Sequence, residues 1–331
     1  MNKLSKYLPL VPVYLAYLVL FLLGKNMEGV WQLIAMLAFY CALGQAFNIF
    51  LGMTGYVDFG YVAFLGVGTY GMALAISRFY DKGLGLWLLA LGLLMAIGIA
   101  TLLSLAVGAV ALRLRGAYFA IATIGVNEGF RYFIEGAKIW NGSAGIIFSG
   151  QLNKAFGREL SNVLSTYWAD VMVFTIAALS AFMTLYYLRS KVGYALTALR
   201  EDEDAAKVMG INVTKYKIIA FITSACFAGL LGASAWALKL TYVFPPDVFE
   251  IIYTVEAIII VLLGGAGTLL GPIVGGLIYG LSKYYLSIIL PGFQLLIFAP
   301  IIILIIVLFP EGTVGVLKRK VQGTALEKII V

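Results

Sequence analysis

A chain of 331 residues in which 62% are apolar, 37 are glycine and only 12% are charged cannot hide its hydrophobic surface in water, since soluble chains carry about 25% charge. At about 20 residues per crossing, the apolar content fills about ten spanning helices, and too little remains for a separate nucleotide-binding or catalytic domain of about 100 residues. There is no histidine, which removes histidine bases, proton relays and metal ligands, and the net charge of +7 has no aromatic-interleaved basic stripe that would suit nucleic acid.

The chain opens on MNKLSKYLPLVPVYLAYLVLFLLG, a basic start and a long apolar run. No small-x-small cleavage site follows it, so it is read as a first spanning helix rather than a signal peptide. Further apolar runs lie near residues 29–51, 60–77, 84–112, 117–135, 168–188, 217–239, 250–264, 268–288 and 294–309. Those at 60, 117 and 250 are short or interrupted by glycine, as re-entrant or half-helices would be. The expectation is an all-α polytopic membrane protein: a single permease domain over 1–331 with about 8–10 membrane helices, some of them broken. Alternating the segments from a cytoplasmic N-terminus puts 14 of the 23 lysines and arginines inside, mostly in short loops. By the positive-inside rule, both termini belong to the cytoplasm and the chain is a multi-pass protein of the cell membrane.

Two polar loops interrupt the pattern. The first, about 138–167, is extracytoplasmic in this topology and carries NGSAGI at 141–146. The second, 189–217, is cytoplasmic and the most charged stretch of the chain. Its segment YALTALREDEDAAKVMGINVTKY at 194–216 reads as one short helix outside the membrane. Ala198, Ala205, Ala206 and Met209 form a small apolar face, and Gly210 supplies the stop.

Spaced glycines at Gly66, Gly68 and Gly71 imitate a dinucleotide fingerprint but sit inside an apolar run, where helix packing is their better use. Gly271 with Gly275, and Gly276 with Gly280, are small-xxx-small pairs suited to close packing, within the chain or against a second subunit. Gly264–Gly267 lacks the lysine and hydroxyl of a phosphate loop and reads as a break between half-helices. Polar residues at membrane depth cost about 2.5–3.5 kcal/mol each when charged, so they are candidates for function. Gln45 and Asn48 share a helix face, followed by Thr54 and Asp58. Thr123, Asn127 and Arg131 are spaced by four, with Glu128 three residues from Arg131. Glu256 stands alone in an apolar run. These residues either line a pathway for an amphipathic solute or serve as interhelical hydrogen bonds and local ion pairs.

The 189–217 loop resembles the EAA coupling loop of ABC importer permeases. Three further stretches resemble the branched-chain amino acid permeases of the LivM type: LGQAFNIFLGMTGYVDFGYVAFLGVGTY at 43–70, RLRGAYFAIATIGVNEGFRYF at 113–133 and GGAGTLLGPIVGGLIYG at 264–280. Asp58 and Tyr61 depart from the pattern, standing where relatives often carry glutamine or serine and histidine. The resemblance implies a transport subunit and not an enzyme, with no cofactor of its own. It implies a second related permease, two ATPases that use ATP and Mg, and an extracytoplasmic binding protein delivering leucine, isoleucine or valine. The ATPases would dock on Arg200, Glu201, Asp202, Glu203, Asp204, Ala205, Ala206, Gly210 and Ile211. Related permeases carry urea, amides, sugars or nucleosides. An ion-coupled secondary transporter using Asp58, Glu128 and Glu256 is the alternative from another class.

Overall fold

The computed structural model describes residues 7–26, 29–136, 139–289, positions 296 and 300, and 312–315. The apolar run at 294–309 lies outside the described residues except for those two positions, as do Lys3, Lys6 and the basic C-terminal stretch that entered the charge count.

The described residues are helical almost throughout. In order come α1 (Leu10–Asn26), α2 (Trp31–Asn48), α3 (Leu51–Thr54), α4 (Val62–Phe79), α5 (Trp87–Ala111), α6 (Ala117–Gly136), α7 (Ser149–Phe156), α8 (Arg158–Val163), α9 (Ala169–Leu188), α10 (Lys191–Glu201), α11 (Glu203–Val208), α12 (Val213–Leu231), α13 (Pro245–Val248), α14 (Ile252–Gly264) and α15 (Gly271–Ile289). One antiparallel pair of two-residue strands, β1 (Ile146–Ile147) and β2 (Tyr242–Val243), aligns Ile146 with Val243. Among the described residues, five helical stretches are long and apolar enough to cross a membrane: Trp31–Thr54, Val62–Lys82, Trp87–Ala111, Arg158–Leu188 and Val213–Leu238. The last is α12 continued through a wider π-helical stretch at 232–238.

The run near 60, expected to be broken, is a continuous 18-residue helix. Its glycines are consumed by packing: Gly66 lies under the Phe249 ring, Gly68 against the backbone of Gly229, and Gly71 against the backbone of Ala96. A methyl group at any of these positions would collide with its neighbour, so α4 is buried on all sides rather than interrupted.

The chain divides into two compact units. The first draws on Met1–Gly55, Ala177–Val213 and Glu256–Val331, the second on Tyr56–Ile176 and Thr214–Val255. In the first unit α2 packs along α15. The two small-xxx-small pairs serve different neighbours there. Gly271 and Gly275 abut the end of α14, while Gly276 and Gly280 admit Cys41 and Leu37 of α2, with a Cβ at either approaching to 2.7 Å. In the second unit α4 packs against α5 and the π-helical stretch.

Candidate functional site

The polar residues of the first unit converge on a break in the membrane helices. α14 ends at Gly264 and α15 begins at Gly271, and between them Gly265 and Gly267 adopt φ of +122° and +79°, open to glycine at little cost. A broken helix exposes backbone groups that lipid cannot satisfy. Here α2 satisfies them. Gln45 Nε2 donates to the Leu269 carbonyl at 2.6 Å, Asn48 Nδ2 donates to the Thr268 carbonyl at 3.0 Å, and Asn48 Oδ1 accepts from the Gly267 amide at 2.8 Å. Thr184 donates to Gln45 Oε1 at 3.3 Å, and Thr268 Oγ1 caps α15 by accepting from the Gly271 amide at 3.0 Å. Gln45 and Asn48 are wholly buried. Thr54, two per cent exposed, returns its hydroxyl to the Phe50 carbonyl at 2.7 Å.

The charged loop reaches the same place. Instead of one helix it forms two, α10 and α11, parted at Asp202, whose backbone is extended (φ −155°, ψ 113°). The reason is local. Asp202 Oδ1 accepts from the amides of Asp204 and Ala205 at 2.8 and 2.9 Å, so it caps a new helix rather than continuing the old one. Glu203 and Asp204 then fall in the first turn, where the helix dipole favours acids. Gly210 ends α11 with φ +82°, its amide bonding to the Lys207 carbonyl and that of Ile211 to Ala206, each at 3.0 Å. This is the Schellman arrangement. The expected apolar stripe is redistributed accordingly. Ala206 is buried and Ala198 half-buried, while Ala205, Val208 and Met209 face outward, the last two at 87% and 81% exposure.

Arg200, at the end of α10, joins the loop to the membrane breaks. One guanidinium nitrogen, Nη1, donates to the Gly52 carbonyl at 2.7 Å and to the Ala266 carbonyl at 3.3 Å. A Cβ on Gly267 would lie 2.6 Å from that nitrogen, and one on Gly52 would lie 2.5 Å from the Gly267 amide. Gly52 of the short helix α3 and the break after α14 therefore meet at glycine-thin contacts, with Arg200 bridging them. Glu201 is exposed, and Glu203 pairs with Lys207 at 2.9 Å on the surface of α11.

Glu256 is not a lone acid. Its carboxylate pairs with Lys283 of α15, near the rings of Tyr40 and Tyr279. Lys283 was not singled out in the sequence, although it is the only charge in the run 268–288. Two isolated opposite charges in neighbouring apolar runs are the signal that could have found it.

The remaining sequence candidates belong to the second unit. Asp58 sits in the turn between α3 and α4, one per cent exposed. Its Oδ1 accepts from the Gly60 amide at 2.9 Å, while its Oδ2 has no hydrogen-bond partner among the described residues. Burial pushes this carboxyl up to about 7, against the opposing pull of the Gly60 amide and the Thr123 hydroxyl. Thr123 also accepts from the Phe59 amide at 3.1 Å, and Asn127 Nδ2 donates to the Phe249 carbonyl at 3.0 Å. Glu128 lies 3.9 Å from Arg131, whose closer partner is Glu135 at 3.1 Å. A second buried pair, Asp170 with Lys239 at 2.6 Å, had no sequence forewarning beyond its lone charges. Among the described residues, no group of three or more cysteine, aspartate or glutamate side chains could hold a metal ion.

A helical, multi-pass membrane protein whose broken helices are tied by polar side chains to a charged loop has the build of a transport permease. The comparisons with known proteins agree. A family model described as branched-chain amino acid transport system / permease component matches residues 29–307, and the chain belongs to that family. It is 29% identical over 309 residues to the high-affinity branched-chain amino acid transport system permease protein LivM of Escherichia coli, covering 86% of this chain and 70% of the relative. To the LivH permease protein of the same organism it is 26% identical, over 83% of this chain and 91% of the relative. A probable LivH of Methanocaldococcus jannaschii is 30% identical over about half of each chain, 46% and 50%. No solved structure matches.

Proposed function

We propose that the chain is a membrane subunit of an ATP-driven importer for branched-chain amino acids, working beside a second related permease, two cytoplasmic ATPases and an extracytoplasmic binding protein. Likeness to both LivM and LivH supports a paired assembly. ATP and Mg belong to the ATPases. The observation that carries the reading is the Arg200 bridge. It gives a force on α10 and α11 a direct route to Gly52 of α3 and to the glycine-rich break after α14. The exposed Val208, Met209 and Ala205 are the apolar surface an ATPase groove would cover, with the acids Glu201 to Asp204 fixing its register. Both termini and the 189–217 loop are assigned to the cytoplasm by the distribution of lysine and arginine.

Co-purification tests the docking surface. Ala205→Glu and Met209→Asp, both at exposed positions, are expected to leave the permease in the membrane while the ATPases no longer co-purify and uptake is lost. Normal ATPase recovery and uptake in both variants would remove α11 from the interface.

A further inference from the structure

The second unit holds a cavity of about 260 Å³ at the C-terminal end of α4 that takes no part in the junction described above. Its lining is mixed: Ser77, Arg78, Asn141 and Gln151 of α7 contribute polar groups, and Leu74, Ile146 and Ile147 contribute hydrocarbon. The NGSAGI segment forms its rim.

That rim is held in an unusual backbone. Trp140, Asn141 and Gly142 have φ of +51°, +74° and +56° in succession, and such conformations cost a non-glycine residue roughly 1–3 kcal/mol. Several contacts keep it there. Trp140, which also lines the cavity, stacks on Tyr70 with ring centres 4.9 Å apart, Asn141 Nδ2 donates to the Gly145 carbonyl at 2.7 Å, and the adjoining Ile146–Ile147 strand is paired to Tyr242–Val243. The rim is thus shaped in advance of any occupant. Among the described residues, Arg78, an exposed lining residue, makes no ion pair, and the Ser77 hydroxyl is buried with no hydrogen bond.

An exposed guanidinium with no counter-ion favours a carboxylate, which it can hold through two parallel bonds. Amide oxygens of Asn141 and Gln151 can accept from an ammonium, and Leu74, Ile146 and Ile147 accept hydrocarbon. The volume falls below the roughly 300–1,000 Å³ of pockets for drug-sized ligands and suits an occupant of amino-acid size. We propose that this cavity is a reception site for one free aliphatic α-amino acid, its carboxylate on Arg78 and its side chain against Leu74, Ile146 and Ile147. The assignment rests on the amino acid permease reading given above and adds the place where the solute first meets this subunit.

The test uses the full chain assembled with its partners in membranes and a diazirine analogue of leucine as photolabel. Label is expected in peptides spanning 70–80 and 139–151, competed by L-leucine and at least about tenfold less well by L-leucinamide, which lacks the carboxylate. Arg78→Gln, at an exposed position that makes no bond among the described residues, should cut the labelling by about tenfold or more and raise the leucine concentration for half-maximal uptake. Ile147→Trp, which fills the cavity, should block labelling as well. Label elsewhere only, equal competition by leucinamide, or undiminished labelling in Arg78→Gln would overturn the site. Wild-type uptake of labelled leucine separates the two readings. If uptake is normal while Arg78→Gln changes nothing, the reception site falls alone; if no branched-chain acid is transported, the proposed function falls.

Discussion

Replacing Arg200 with methionine keeps a long apolar stem and removes the donors that bridge Gly52 and Ala266. A hydrogen bond from a charged group contributes about 1.5–3 kcal/mol when sheltered. The Arg200 side chain is open to solvent, and water can take over the two freed carbonyls, so the loss is smaller, about 1–2 kcal/mol for the pair. Spread over the whole fold, that would barely alter thermal stability. Concentrated in the linkage between α10 and the breaks, it shifts the equilibrium between linked and unlinked states roughly 5- to 30-fold. Reconstituted Arg200→Met is therefore expected to keep ATPase recovery and ATP hydrolysis close to wild type while leucine uptake per ATP hydrolysed falls about tenfold. Arg200→Lys, which retains a charge and several donors, should recover part of the uptake. Wild-type uptake per ATP in Arg200→Met would refute the bridge as the route of coupling.

Two further outcomes follow from buried charge. Lys283→Met leaves the Glu256 carboxylate buried without its cation, and should cost about 2–3 kcal/mol, below the ~3–5 of fully enclosed pairs because the Lys283 side chain keeps 27% exposure. Adding Glu256→Gln should restore most of that loss, which a double-mutant cycle of detergent thermal melts would read; equal instability of single and double variants would show that the pair is not coupled. Asp58 tests the other sign. Its folded value near 7 exceeds the ordinary carboxyl value of about 4, so the folded state holds its proton more tightly than the unfolded one. The stability supplied by this group is present below about pH 4, is lost as pH rises towards 7 and stays flat above. Asp58→Asn should melt higher than wild type at pH 8, with the gap closing at pH 5, and a pH-independent gap would contradict the burial argument.

Periodicity and composition reveal apolar runs, and the glycines at 264–267 and 210 mark real chain breaks, because glycine at positive φ is a local requirement that needs no tertiary partner. The second glycine set is legible only in part. Gly66, Gly68 and Gly71 read as a packing surface, yet they also make the run near 60 look interrupted, because the neighbours they answer to, Phe249, Gly229 and Ala96, are far away in the chain. Asp202 hides in a run of four acids, although an aspartate followed by two acids in a first turn is the ordinary signature of a helix start. Gln45, Asn48 and Arg200 stand out as polar residues, yet apart from the Thr184 hydroxyl on Gln45 their partners are backbone carbonyls and an amide, which no pattern distinguishes. The same holds for the cavity at Arg78, whose walls come from α4, a strained loop and α7, brought together only by folding.

The central claim is that an external ATPase drives this chain. Purified permease, reconstituted with its partner permease, the two ATPases and the binding protein, is loaded into vesicles and offered labelled leucine. Uptake is expected with ATP and Mg on the ATPase side, and none with a proton or sodium gradient acting on the permease by itself. Gradient-driven uptake by the permease in the absence of ATPases would contradict the account.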